Sequence, residues 1–419
     1  MTEKEQKTPA NLYILKLSFA FFATGLAVFL STMGVMAVFL PALVRLQSFQ
    51  TAEGMLLAHL LVLGWATMIA MGASFQITQV IMRTTLFSRT LGFIQFALYV
   101  AGFVLLLGGF LADARLIVYG GVLLSLGVFL YTGNLGITFY RKREWNPFVL
   151  GVSLSLLDLL ATVLLGIVMG LRFAYGFGAE NHAAVFGSHL WLGLGGWLSG
   201  LIIVYSFKLL PMFFVSAKKV GREAYWIIGG AQVGVWLHAA SLWSGYSAIA
   251  IAGDLCLLGA LGWFAVFAWQ VRRQSRSKQP VGAVRVALLW VPAVFFLYLV
   301  WTVLDWLNIS GDMFVTFVII LVILGWFSST ILSYLSKIFP FLWWAKRYRT
   351  REEKKSAPLL SEMLPEARMT WELCIFLAGV GVVAASFLLG SPGVAVIGQI
   401  VALIAAIVYF VELMRVFRF

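Results

Sequence analysis

Charge is scarce in this sequence: 11% of its 419 residues are Asp, Glu, Lys or Arg, against roughly 25% in a soluble domain. With 62% hydrophobic residues, the chain has too little polar surface to face water on all sides, which excludes a soluble globular protein. Cysteine is nearly absent. Cys256 and Cys374 lie inside apolar runs and form no CxxC pair, so neither a disulfide scaffold nor a cysteine metal site is indicated. Also missing are segments of about ten residues alternating apolar and polar, the mark of a transmembrane barrel. No phosphate-binding loop, zinc-protease motif or Ser-His-Asp arrangement stands out.

What the chain has is long apolar runs, each about 20 residues or more, the length a helix needs to cross hydrocarbon. Twelve spans are expected at about 15–41, 55–82, 89–112, 115–140, 147–171, 189–214, 223–244, 247–271, 286–304, 313–337, 370–389 and 394–416. The predicted fold class is all-α, a polytopic membrane protein forming a single membrane domain over 1–419. One long inner loop, 338–369, contains WWAKRYRTREEKKSAPLLSEMLPEAR and reads as a surface connection. The opening MTEKEQKTPANLY leads into a span too long for a signal-peptide core, so the first span is expected to be retained.

The formal net charge of +13 follows from topology rather than from nucleic acid. Basic residues gather in alternate loops: Arg83 and Arg89; Arg141, Lys142 and Arg143; Lys218, Lys219 and Arg222; Arg272, Arg273, Arg276 and Lys278; and Lys346, Arg347, Arg349, Arg351, Lys354 and Lys355. By the positive-inside rule these loops are cytoplasmic, and an even number of spans puts both termini with them. The expected setting is a bacterial cytoplasmic membrane, with the lipid bilayer as partner and no nucleic acid.

An internal repeat organises the spans. Span two contains HLLVLGWATMIAMGASFQITQ, span six HLWLGLGGWLSGLIIVYSFKLLP and span ten LVILGWFSSTILSYLSKIFP. Trp65, Trp197 and Trp326 each follow a glycine, at intervals of 132 (197 − 65) and 129 (326 − 197), and Gln79, Pro211 or Pro340 comes fourteen residues later. Three four-helix blocks are implied.

These stretches, together with REAYWIIGGAQVGVWLHAASLWSG after span six, resemble subunit I of the haem-copper oxidases, in particular the C-type oxidases and nitric oxide reductases. The NnrS family of haem- and copper-containing membrane proteins is a second, weaker likeness. The resemblance implies a haem-copper-oxidase-like fold. It makes His59 the counterpart of an axial ligand of the low-spin haem and His189 that of a copper ligand. The paired copper-ligand histidines at the outer end of span seven are missing, since Tyr246, Ser247 and Ala248 stand there. Val318 and Ile320 take the places of two haem-ligating histidines in span ten. The likeness therefore implies a protein that is not an active terminal oxidase. Its cofactors would be haem b, copper or another metal ion, or none, and a respiratory-complex or assembly partner would fit.

Read physically, His59, His189 and His238 all fall in the outer half of the membrane, where an imidazole needs a partner and is a common ligand of iron, copper and zinc. The expectation is a cofactor held by His59 and His189, with His189 and His238 as metal ligands; the bland alternative is hydrogen bonding between helices. His182 is expected to be solvated. Asp158 and Asp254 are carboxylates within apolar helices, suited either to an ion path or to fixing helix packing. Lys208 is placed to snorkel, and Asp305 and Asp312 to cap helices or bind a cation, with capping the favoured role. Gly196 and Gly200 suit close helix packing. The functional expectation is a non-oxidase relative binding haem or metal for sensing, delivery or nitric oxide handling. Its alternatives are a transporter reusing the scaffold and a structural or assembly subunit.

Overall fold

The computed structural model describes residues 9–177, 180–276, 282–348 and 350–419; the side chains of 9–15 and 351 are not described. Lys278 and Arg349, counted above among the basic loops, and the polar residues 1–8 lie outside the described residues. Among the described residues the regular elements are all helices, apart from one isolated antiparallel bridge between Ser216 and Ser275. The protein is an all-α polytopic membrane protein.

Twelve long helices follow in order: α1 (Pro9–Leu46), α2 (Ala52–Met82), α3 (Arg89–Leu111), α4 (Arg115–Lys142), α5 (Pro147–Tyr175), α6 (His182–Phe213), α7 (Glu223–Ser244), α8 (Ser247–Arg273), α9 (Val284–Trp306), α10 (Asp312–Arg347), α11 (Glu366–Leu389) and α12 (Pro392–Arg418). Eleven of these are long and apolar enough to cross a bilayer. The exception is α7, which has the length, at 22 residues, but carries Glu223, Gln232 and His238. The connection expected over 338–369 is shorter, because α10 runs on to Arg347 and α11 begins at Glu366. Between them lies a five-residue helix, Arg351–Lys355, whose Thr350 and Glu353 form a capping box.

The threefold repeat is built into the backbone. Spans α2, α6 and α10 each widen into a π-helical segment, at Leu60–Thr67, Trp191–Ser199 and Leu321–Ser328, and each segment holds the Gly-Trp pair of its block. All three indoles are buried. A hydroxyl stands two residues after each tryptophan, at Thr67, Ser199 and Ser328. The Ser199 hydroxyl donates to the carbonyl of Leu194 (2.7 Å) and that of Ser328 to Ile323 (2.9 Å), both five residues back. The side chain thus satisfies a carbonyl in the wide turn, as buried backbone requires in lipid.

The last two helices of each block are zipped by facing glycines. A Cβ on Gly102 would lie 2.8 Å from the carbonyl oxygen of Gly120, one on Gly234 2.9 Å from that of Gly253, and one on Gly379 2.7 Å from that of Gly398. Side chains are excluded there because the backbones themselves touch, the packing that small residues permit in membranes. Gly102 and Gly234 each fall 37 residues after the tryptophan of their block (102 − 65; 234 − 197).

Contacts divide the chain into two compact units. One comprises residues 1–28, 58–204 and 228–257; the other comprises 29–57, 205–227 and 258–419. The candidate site below lies wholly in the first. In the second, α11 and α12 pack together, Gln399 donates to the carbonyl of Met33 (2.6 Å), and Tyr409 donates to that of Leu332 (2.8 Å).

Candidate functional site

One face of α5 organises the site. Ser155, Asp158, Thr162 and Gly166 recur at helical spacing and meet Gly200, Gly196, Gly193 and His189 of α6 in antiparallel order. The glycines of α6 make room for the polar side chains of α5. A Cβ on Gly196 would lie 2.5 Å from Asp158 Cγ, and one on Gly200 2.5 Å from the Ser155 hydroxyl.

At the upper end of this stripe, His189 Nδ1 lies 2.9 Å from the carbonyl oxygen of Thr162. A carbonyl only accepts, so Nδ1 carries the proton and donates. The other ring nitrogen, Nε2, is then the one available to a metal, an orientation that second-shell carbonyls commonly impose on ligating histidines. The His59 ring is 6.5 Å from that of His189, centroid to centroid, at 36°, and Phe110 packs on His59 at 5.0 Å. Thus the structure brings together the two histidines singled out in the sequence, from α2 and α6.

His238 is engaged elsewhere. Its Nε2 lies 3.0 Å from the Asp254 carboxylate, and its ring stacks on the Trp191 indole at 3.9 Å and 7°. Both members of the pair are buried. Gly253 allows this approach, since a Cβ there would come within 2.9 Å of the imidazole. Among the described residues no three His, Cys, Asp or Glu side chains come together. His238, expected from the sequence as a metal ligand beside His189, has its Nε2 against the Asp254 carboxylate.

Asp158, fully buried, accepts from Trp236 Nε1 (3.0 Å) through Oδ1, while Oδ2 has no hydrogen-bond donor among the described residues. It packs directly against Gly196. Asp312 opens α10 behind Gly311 rather than capping it, and Asp305 accepts from the Ser310 hydroxyl (2.7 Å) near the end of α9. Neither is the N-cap expected of it. His182 is half-buried, 6.1 Å from the Phe186 ring, and Lys208 is exposed.

Whether these residues suit a metal group can be judged from spacing. Imidazole nitrogens bind metal ions at about 2 Å, so two rings on opposite sides of one ion have centroids roughly 6 Å apart. The His59–His189 pair matches that separation. A three-histidine copper centre does not fit, because no third ligand of that kind joins the pair among the described residues. Sequence reasoning missed Thr162, Trp191 and Trp236. Only the signal of Gly196 and Gly200, small residues four apart, pointed toward the α5 contact.

The chain matches no protein-family model, and no curated protein is significantly similar to it.

Proposed function

We propose that this membrane protein holds a haem, or a single copper or other metal ion, between His59 and His189, and uses it for sensing, delivery or nitric oxide handling rather than for oxygen reduction. The observation that carries the reading is the pair of neighbouring imidazoles, 6.5 Å apart by ring centroid, one with its tautomer set by the Thr162 carbonyl. Haem iron or copper, when bound, supplies reversible ligand binding and one-electron chemistry. The residues of this chain then orient His189 through Thr162 and pack His59 against Phe110. The likeness to the haem-copper oxidases supports the same two histidines, and the replacements at Tyr246, Ser247, Val318 and Ile320 argue against a complete oxidase centre. The basic loops favour a bacterial cytoplasmic membrane with both termini in the cytoplasm.

The test is a reduced-minus-oxidised spectrum with iron and copper analysis on purified full-length protein, wild type beside His59→Ala and His189→Ala. A Soret band or stoichiometric metal in the wild type, lost in both variants, is expected. Wild-type protein lacking both rejects the proposal.

A further inference from the structure

Glu372 lies a turn and a half into α11 with 7% of its surface exposed, and neither carboxyl oxygen has a hydrogen-bond donor among the described residues. The cations nearby are engaged. Glu412 of α12 takes Arg368 Nη1 at 3.0 Å and Arg415 Nε at 2.8 Å. Tyr409, three residues before Glu412, directs its hydroxyl to the carbonyl of Leu332. On α10, Lys337 pairs with Glu366, Lys346 stacks on Trp343, and Arg347 is exposed at the helix end. On α9, Arg285 is exposed and Asp305 lies at the opposite end, as does Asp312 of α10. The π-helical segment Leu321–Ser328, which also packs on α11, has no titratable side chain.

A carboxylate in lipid is costly unless paired or protonated. No guanidinium donates to Glu372: Arg368 Nη1 and Arg415 Nε both lie against Glu412, and both oxygens of Glu372 are without a donor among the described residues. A metal cation is disfavoured by those same two positive charges, and no group of three oxygen or nitrogen ligands of the kind metals need comes together among the described residues. A buried carboxyl that no donor reaches is satisfied by carrying a proton of its own.

We propose that Glu372 is a proton-binding site in the last four-helix block, taking up and releasing a proton at the end of the bundle where α11 begins. The ligand is the proton itself, and the adjacent Glu412, held by two arginines, is the fixed anion beside it. The site is independent of any group at His59 and His189.

Two measurements on the full-length protein in lipid nanodiscs test this. Dicyclohexylcarbodiimide attacks only the protonated acid: the acid proton passes to a carbodiimide nitrogen, the carboxyl oxygen adds to the central carbon, and an oxygen-to-nitrogen acyl shift leaves a stable N-acylurea. Mass mapping should find the adduct on Glu372, falling about tenfold per pH unit above the group's midpoint, and none on Glu412. Labelling of Glu412 instead, or labelling of Glu372 that does not vary with pH, overturns the proposal. An infrared pH-difference spectrum needs no reagent access. It should contain a carboxylic-acid carbonyl band that disappears in Glu372→Gln and shifts its midpoint in Glu372→Asp. Wild-type and Glu372→Gln spectra that coincide between about pH 5 and pH 9 would refute it.

Discussion

Trp197 Nε1 donates to the Thr67 hydroxyl over 3.0 Å, tying the π-helical segment of α6 to the end of that of α2 within one compact unit. Both residues are buried, so the bond is made where water does not compete. Thr67→Val keeps the shape and removes the acceptor. Hydrogen bonds between membrane helices average about 0.6 kcal/mol and reach about 1.7 kcal/mol, so a loss within that range is expected. Thr67→Ser should recover most of it. Reversible unfolding in mixed micelles measures the difference, and no change in Thr67→Val would mean that the indole finds another acceptor.

The engagement of His238 with Asp254 and Trp191 separates two roles that the sequence had left together. If metal binding belongs to His59 and His189 alone, His238→Ala should retain the bound group while His189→Ala loses it. Stability should respond differently. Asp254→Ala removes the acceptor facing a buried ring nitrogen, at about 1–3 kcal/mol. The double variant His238→Phe with Asp254→Ala should cost less than the sum of the single changes, since the polar demand disappears with the imidazole. Additive losses would show that the two side chains act independently.

Asp158 and Gly196 make a sterically closed pair. A Cβ at Gly196 would stand 2.5 Å from both Cγ and Oδ2 of the carboxyl, so Gly196→Ala forces α5 and α6 apart or drives the acid off Trp236. Overpacking of this kind costs about 1–3 kcal/mol. Truncation to alanine does not relieve it, since the Asp158 Cβ would itself stand 2.8 Å away; Asp158→Gly removes that atom and should tolerate Gly196→Ala far better than the wild type does. Asp158→Asn, which keeps the shape and the bond from Trp236, should not. Equal sensitivity in the Asp158→Gly background would place the strain elsewhere.

The helical content and the three blocks were legible because apolar runs of bilayer length and the Gly-Trp spacing are properties of the sequence itself. The π-helical geometry was not. A wide turn changes which carbonyl each N–H meets without changing the apolar pattern, and only the folded structure shows why Ser199 and Ser328 reach back five residues. The site was half legible. His59 and His189 stood out as rare polar groups at matching positions, but partners supplied by other helices leave no local spacing to read. Asp254 looked isolated along α8 because its partner, His238, comes from α7, and Asp158 looked isolated because Trp236 does. The connection between α10 and α11 begins later than expected because Lys346 and Arg347 read as loop charge while the backbone stays helical beneath them.

Gly166 offers a way to disturb His189 without removing it. A Cβ at this position would sit 3.4 Å from His189 Cε1 and 3.8 Å from Nδ1. That is ordinary contact, so Gly166→Ala should leave the imidazole on the Thr162 carbonyl and the bound group in place. A branched side chain needs the space the ring occupies. Gly166→Leu should push Nδ1 away from its 2.9 Å acceptor, lose the fixed tautomer, and reduce haem or metal content toward that of His189→Ala. Because helix packing at Gly196 and Gly193 is one turn or more away, thermal stability should fall less in Gly166→Leu than in Gly196→Ala. Full occupancy in Gly166→Leu, with stability unchanged, would mean that the orientation of His189 does not depend on Thr162.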